Sequence, residues 1–300
     1  MQKNKAILLF GPTASGKTAL AIELAKKFNG EIINADSRQF YKNMPIITAM
    51  PSDEEFSAVP HHLFECLETD SEFSVAEYLK LAKQVCDDVA VRGRLPIFVG
   101  GTGLYLKMLE FGLSSIPNIN KDLFNDLNSM ETEDLYSQLN SIDEAMSAKL
   151  ESNDRQRIIR ALGVIKQTGK SLLDWQELPN EGMLDLDFIH LAINPDREVM
   201  YNRINSRASK MLELGLIDEV KVVIEKYGQE RLNSLTSIGF DIFLDAFNAK
   251  LEMNEAIDKF AQKQRNYAKR QITWLKHQYP FELIHEDLDV TFKFVEEKLG

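Results

Sequence analysis

Gly11-Pro-Thr-Ala-Ser-Gly16-Lys17-Thr18 matches G-x-x-x-x-G-K-[ST] at every fixed position, and no other stretch restricts the fold of this chain so strongly. The motif follows the short apolar run AILLF (6–10) and precedes TALAIELAKKF, which has helical spacing. That order reads as strand, loop, helix. The glycines let backbone N–H groups approach phosphate oxygens, and the positive end of the following helix points at them. Gly11, Pro12, Thr13, Ala14, Ser15, Gly16, Lys17 and Thr18 are therefore the candidate phosphate cradle. Lys17 supplies a point charge and Thr18 a hydroxyl suited to Mg²⁺. The motif does not specify which phosphate compound is bound.

The strand and helix signals continue. EIINAD repeats the strand signature, and SVAEYLKLAKQVCDDVAVRG reads as an amphipathic helix with Ser74 as its N-cap. LPIFVGG is a further apolar strand, with TGLYLKMLEFG as the helix after it. Alternation of this kind predicts a parallel sheet covered on both faces. From about residue 114 to 184 the strand signal disappears, and the stretch is polar and helical, with SIPNIN and LPNEGM as loops at its ends. LDFIHLAI reads as a returning strand, followed by a helix interrupted near Gly215 and helical sequence to about Tyr279. The expected architecture is an α/β, P-loop NTPase-like parallel sheet flanked by helices. Residues 1–113 and 185–300 would form the core, and 114–184 an inserted helical domain.

Charge and cysteine usage exclude several functions. A net charge of −11 argues against a nonspecific nucleic-acid coat, because phosphate neutralisation needs Lys and Arg. Within 259–277, however, there are six Lys/Arg and no acid, which is either a localised polyanion site or a solvated helix face. Cys66 and Cys86, the two cysteines, form no metal-spaced pair and no disulfide framework. His61 and His62 have no nearby ligand to complete a zinc site. The basic start and the apolar run superficially resemble a secretion signal, but the run is short and enters the phosphate loop directly. No apolar segment reaches the roughly 20 residues of a membrane helix, so the chain is expected in the cytoplasm.

Asp36 ends the apolar run EIINAD and is followed by Ser37, Arg38 and Gln39. In an open parallel sheet this strand end faces the same crevice as the phosphate loop. Asp36 could cap the turn, help to hold Mg²⁺, or accept a proton from a nucleophile attacking near the phosphates. Spacing alone leaves the three readings open.

Further matches make the chain resemble the tRNA dimethylallyltransferases, the IPP transferase family, along most of its length. They are GPTASGKTALAIELA, NADSRQFYKNM, PHHLFE, FSVAEY, VGGTGLYLKML, NDRQRIIRALGVIKQTGKSL, PDREVMYNRINSRASKML, a shorter SIGF, and AKRQITWLK. The resemblance implies that the cradle holds the diphosphate of dimethylallyl diphosphate. The exocyclic amine of the adenine 3′ of the anticodon would attack the allylic carbon, in tRNAs reading codons that begin with U. It gives Asp36 the role of base, with Lys17, Thr18, Mg²⁺ and the loop amides stabilising the leaving diphosphate, and Arg207 reaching the diphosphate from the far side of the crevice. tRNA contacts are implied at Asp36, Ser37, Arg38, Gln39 and Thr102, and over Gln156, Arg157, Ile158, Ile159 and Arg160. Arg157 and Arg160 share one face of a helix whose other side carries Ile158, Ile159, Leu162 and Ile165. The histidine pair belongs to the family pattern and is expected to shape the channel. Trp274 is left without a role.

The chain departs from the family in two places. The usual D-I-G-T-A-K-P reads Pro45-Ile-Ile47-Thr-Ala-Met50-Pro51, and Thr236 and Asp241 occupy positions that are often basic. These changes leave the diphosphate machinery intact and bear on which tRNAs are recognised. The rival functions are an adenylate dimethylallyltransferase acting on free nucleotides, a P-loop small-molecule kinase and a noncatalytic RNA-binding or nucleotide-switch protein. The inserted segment and the basic stretch favour a large RNA substrate, the anticodon stem-loop, and a monomer is expected.

Overall fold

The structure, a computed structural model, describes residues 4–71, 73–229, 232, 235, 238–278, 281–283 and 287–300. Thr236, Ser237 and Tyr279 lie outside the described residues. The chain divides into two compact units, Met1–Glu110 with Leu184–Gly300, and Phe111–Met183.

In chain order the first unit contributes β1 (Asn4–Phe10), α1 (Lys17–Lys27), β2 (Gly30–Asn34), α2 (Pro45–Thr48), α3 (Asp53–Ala58), β3 (His61–His62), α4 (Val75–Val91), β4 (Leu95–Gly100) and α5 (Gly103–Phe111). The second holds β5 (Leu113–Ser114), α6 (Lys121–Asn128), α7 (Thr132–Ile142), α8 (Glu144–Ser147), α9 (Arg155–Thr168), α10 (Leu172–Gln176) and β6 (Asn180–Glu181). The chain then returns with β7 (Leu186–Ala192), α11 (Arg197–Glu213), α12 (Leu216–Tyr227), α13 (Phe240–Phe247), α14 (Met253–Gln278), β8 (Glu282–Leu283) and α15 (Leu288–Leu299).

The main sheet has six strands in the order β3-β2-β4-β1-β7-β8, all parallel. Its central strands are apolar on successive residues because both faces are covered. On one face Ile7, Leu9, Ile97, Val99, Ile189 and Leu191 pack with Leu20 and Leu24 of α1 and Val295 of α15. On the other, Phe10 stacks on Trp274 of α14 with ring centroids 5.7 Å apart. A separate helical layer, α11 to α14, closes over Met44 and Ile47.

The register places the candidate site. Phe10 pairs with Gly100, and Asn34 with Val99, so β1, β2 and β4 finish level. The segments after them leave the same edge of the sheet, as expected at the carboxyl ends of parallel strands. Ser74 caps α4 as its sequence suggested, its hydroxyl accepting from Glu77 N while the Glu77 side chain accepts from Ser74 N. The elements not anticipated were mostly short or terminal: α2, α3, β3, β8 and α15.

The second unit is helical, with a two-residue antiparallel pair between β5 and β6. Its core contains Leu135, Leu139, Ile158, Ile159 and Leu162. Among the described residues no helix is long and apolar enough to cross a membrane.

Candidate active site

The phosphate loop leaves β1 and turns sharply into α1. Gly11 N donates to Gly100 O (3.2 Å) and Ser15 N to Pro12 O (3.2 Å), while Ala14 and Gly16 take left-handed backbone angles, φ 61° and 93°. Such angles are unusual for a residue with a side chain and cluster where a loop must present its amides. The first amides of α1 are the unbonded donors that a helix N-terminus leaves. The Ser15 hydroxyl is buried without a partner.

The loop forms one wall of a cavity of ≈ 310 Å³. Lys17, Arg38 and Arg207 bring three cations to it, against the carboxylates of Asp36 and Glu55. Lys17 Nζ lies 3.7 Å from Asp36 Oδ2, with both side chains largely buried. Burial holds the Lys17 ammonium below the ordinary lysine range; Asp36 opposes that shift, and Arg207 and Arg38 add to it. Arg207 projects from α11 and donates through Nη2 to Thr13 Oγ1 at 2.7 Å. One turn earlier, Arg203 donates to Ser15 O at 3.4 Å. The i, i+4 pair therefore grips the loop from one helix face.

Asp36 sits in a turn that its neighbours hold in place. Asp36 N donates to Asn34 Oδ1 (2.8 Å), Asn34 Nδ2 reaches Leu63 O (3.0 Å), and Gln39 N donates to Asp36 O (3.0 Å). Ser37 N donates to Thr102 Oγ1 at 3.1 Å, and the two hydroxyls are also 3.1 Å apart. Arg38 stacks its guanidinium 3.7 Å from the Tyr267 ring centroid and donates to Gln264 Oε1 at 2.9 Å. Gln39 Nε2 donates to Ala49 O (2.8 Å) and Thr48 O (3.3 Å), so its amide holds the cavity wall that follows α2. Phe40, beneath this turn, packs among Phe73, Tyr78 and Tyr105.

The wall from Ile47 to Pro51 carries the departures noted in the sequence. Ile47 is buried in the helical core, and both Ile47 and Met50 line the cavity, which makes this side apolar. The start of α2 is held by Glu219, whose carboxyl accepts from Ile46 N (2.6 Å) and Ile47 N (3.0 Å). Burial pushes that carboxyl up to about 7, against the pull of the two amides. Asp241, the other departure, pairs with Lys263 at 3.0 Å and neutralises one cation of the basic stretch.

The first unit thus brings together Gly11 to Thr18, Asp36 to Gln39, Thr102 and Arg207. Gln156, Arg157, Ile158, Ile159 and Arg160 lie on α9 of the second unit. Gln156 and Arg157 are exposed, and Arg157 pairs with Asp154 at 3.4 Å. Arg160 is half-buried and donates to Ile116 O at 3.3 Å. Two expectations are corrected. Ile158 and Ile159 are 0% and 4% exposed in the core of that unit, so their side chains hold α9 in place and are not available to an RNA. The histidine pair does not line the cavity. His62 Nε2 bonds Glu31 Oε2 at 2.6 Å, a carboxylate also held by Arg92 (2.6 Å) and Arg94 (3.4 Å), while His61 packs on Phe56 and Phe64. Both stabilise the sheet edge at β3.

Four residues of the site were not anticipated from the sequence: Arg203, Gln264, Tyr267 and Gln271. The last three come from α14, where Gln271 Oε1 accepts from Thr13 N (2.9 Å) and its Nε2 donates to Gly101 O (2.7 Å). Trp274, left without a role, packs against Gly103 so closely that a Cβ there would lie 2.1 Å from the indole. Among the described residues there is no cluster of three His, Cys, Asp or Glu. The donors beside the loop are hard oxygens, the Thr18 hydroxyl and the Asp36 carboxylate, which suit a largely hydrated Mg²⁺ rather than a soft metal.

The chain is similar to proteins of one family. The family model described as IPP transferase matches residues 39–278, and that described as isopentenyl transferase matches 4–65. A tRNA dimethylallyltransferase of Rickettsia bellii is 42% identical over 283 residues, covering 93% of this chain and 90% of its own. One from Rhizobium etli is 41% identical over 278 residues, covering 91% and 94%. The crystal structure of a tRNA delta(2)-isopentenylpyrophosphate transferase from Staphylococcus epidermidis superposes with a TM-score of 0.70 at 33% identity over 99% of each chain. A eukaryotic dimethylallyltransferase acting on tRNA superposes with a TM-score of 0.80 at 30% identity, over 99% of this chain and 77% of that one.

Proposed function

The chain belongs to the IPP transferase family, and from that premise we propose that it is a transferase that moves a dimethylallyl group from dimethylallyl diphosphate to tRNA. The acceptor is N6 of the adenine 3′ of the anticodon, in tRNAs reading codons that begin with U. The observation that carries this reading is the pairing of Lys17 with Asp36 at 3.7 Å in a cavity also lined by Arg207 and the phosphate loop.

The diphosphate binds the loop amides, Lys17 and Arg207, which hold the charge that develops as the allylic C–O bond breaks. The Thr18 hydroxyl would hold Mg²⁺, which would supply further neutralisation of that leaving group. The adenine amine forms the new C–N bond and loses a proton, which Asp36 Oδ accepts. The apolar wall of Ile47 and Met50 suits the hydrocarbon end of the donor and keeps water from an allylic carbon with cationic character. The adenine leaves its stack to reach the cavity. Arg38, which lines the cavity beside Asp36, and Ser37 with its partner Thr102 would contact the incoming nucleoside. Gln156, Arg157 and Arg160 of the second unit contact the RNA backbone. The protein acts as a cytoplasmic monomer.

The test offers purified protein and Mg²⁺ labelled dimethylallyl diphosphate, with either an anticodon stem-loop or AMP as acceptor. Label is expected on the stem-loop and not on AMP. Label on AMP alone would make this a free-nucleotide enzyme. Phosphate transfer from ATP to a small molecule, with no prenyl transfer, would make it a kinase.

A further inference from the structure

α14 buries two glutamines, Gln264 and Gln271, at 3% and 5% exposure. Burying a carboxamide is costly unless both its donor and its acceptor find partners. In Gln271 both do. Its Nε2 donates to Gly101 O at 2.7 Å and its Oε1 accepts Thr13 N at 2.9 Å. Only one orientation of the amide serves a carbonyl and an N–H at once, so the partners themselves set it.

Those partners lie in two different turns. Thr13 is inside the phosphate loop, and Gly101 follows β4. The turns also meet directly through Gly11 N and Gly100 O. Gly101 has no side chain at the point where the glutamine enters, and a Cβ there would lie 2.2 Å from Gln271 Nε2. On its other side Thr13 receives the Arg207 guanidinium through its hydroxyl. A continuous chain of bonds therefore runs from Gly101 through Gln271 and Thr13 to Arg207.

We propose that Gln271 is a positioning residue that preforms the diphosphate site, an inference that rests on the cavity's reading as that site. It commits the Thr13 amide to the protein, so anion recognition passes to the later amides of the loop, to Lys17 and to Arg207. The first half of the cradle is held in its binding geometry by α14 and not by the anion. Preorganisation of this kind removes an ordering cost from binding and keeps the donors aimed where leaving-group charge develops. A purely structural role for Gln271 would affect folding, or both substrates alike, and would not single out the diphosphate.

The experiment compares wild type, Gln271→Met and Gln271→Glu in the full-length protein. It measures calorimetric binding of inorganic pyrophosphate with Mg²⁺, KM for each substrate, kcat and thermal stability. Gln271→Met is expected to weaken pyrophosphate binding and raise KM for dimethylallyl diphosphate about tenfold or more, with KM for the stem-loop within about twofold of wild type. Gln271→Glu keeps an acceptor for Thr13 N and is expected to recover part of the loss. A folded Gln271→Met that binds pyrophosphate like wild type, or loses both substrates equally, would overturn the proposal. Amide hydrogen exchange on wild type provides a test that no unstable variant can obscure. The Thr13 amide is expected to be protected without ligand, and exchange that slows only on adding pyrophosphate would overturn the proposal. Lys17→Ala isolates the underlying reading: pyrophosphate binding unchanged in that variant would mean that the cavity is not the diphosphate site, whatever the Thr13 amide does.

Discussion

Lys17 Nζ and Asp36 Oδ2 face each other at 3.7 Å, close enough for attraction but longer than a charge-assisted hydrogen bond. Neither group is fully engaged by the other. The ammonium remains available to a phosphate oxygen and the carboxylate to a proton. A pair that satisfied itself at the usual shorter distance would have to be broken before either could act.

This spacing separates the two roles experimentally. Asp36→Asn is expected to lower the single-turnover rate by about 10²–10⁴ while leaving pyrophosphate affinity nearly intact. Lys17→Met is expected to weaken pyrophosphate binding by about 10–100-fold, the range for a lost charge-assisted bond. Rapid-quench kinetics and calorimetry on the same preparations check both. Equal losses in rate and affinity for Asp36→Asn would reassign it to metal binding.

Glu219 makes stability fall with rising pH. Its folded carboxyl is pushed up to about 7, against 4.5 for an ordinary glutamate. Between those values the folded state holds a proton that the unfolded state has released. Unfolding is therefore favoured progressively as pH rises across that window, and the effect levels off above it. The change is on the order of 2 kcal/mol. Denaturant titrations at about pH 5 and about pH 8 are expected to show this slope in wild type and to lose it in Glu219→Gln.

Gly103→Ala is expected to destabilise the first unit by about 1–3 kcal/mol, the cost of forcing apart a packed contact. The added carbon would lie 2.1 Å from Trp274, so α5 and α14 must shift. Thermal denaturation followed by tryptophan fluorescence reports both the lower midpoint and the altered indole environment.

On α9 adjacent residues are expected to behave in opposite ways. Arg157, whose side chain is 74% exposed, is expected to weaken stem-loop binding when changed to Ala and to reduce the salt dependence of affinity by about one unit of slope. Ile158→Ala is expected to cost about 2–5 kcal/mol of stability in the second unit and to leave that slope unchanged in the folded protein. Binding titrations over a range of salt, paired with denaturation curves, distinguish the two.

The loop, its helix and the acid after β2 were legible because each rests on local chemistry: fixed glycines, an apolar run, a carboxylate at a strand end. Gln264, Tyr267 and Gln271 were not, because they reach the site from a helix far along the chain. A signal for the glutamines did exist. Phe260, Ala261, Gln264, Ala268, Gln271 and Leu275 all fall on the buried stripe of α14, and a carboxamide at such a position must be bonded to something. The histidine pair was misplaced because its partner, Glu31, belongs to the neighbouring strand. Two-residue strands such as β3 and β8 are too short to show any alternation.

The strand order has a kinetic consequence for the nascent chain. β1 emerges from the ribosome before both of its partners, β4 and β7, and the second of them is made only after residues 111–183. The central sheet cannot close until β7 has emerged. Every contact of the inserted helices' own core lies within a shorter segment, and short-range contacts form early. The second unit can therefore complete its core during synthesis while β1 waits with an unpaired edge. That interval is when this chain is most exposed to misfolding.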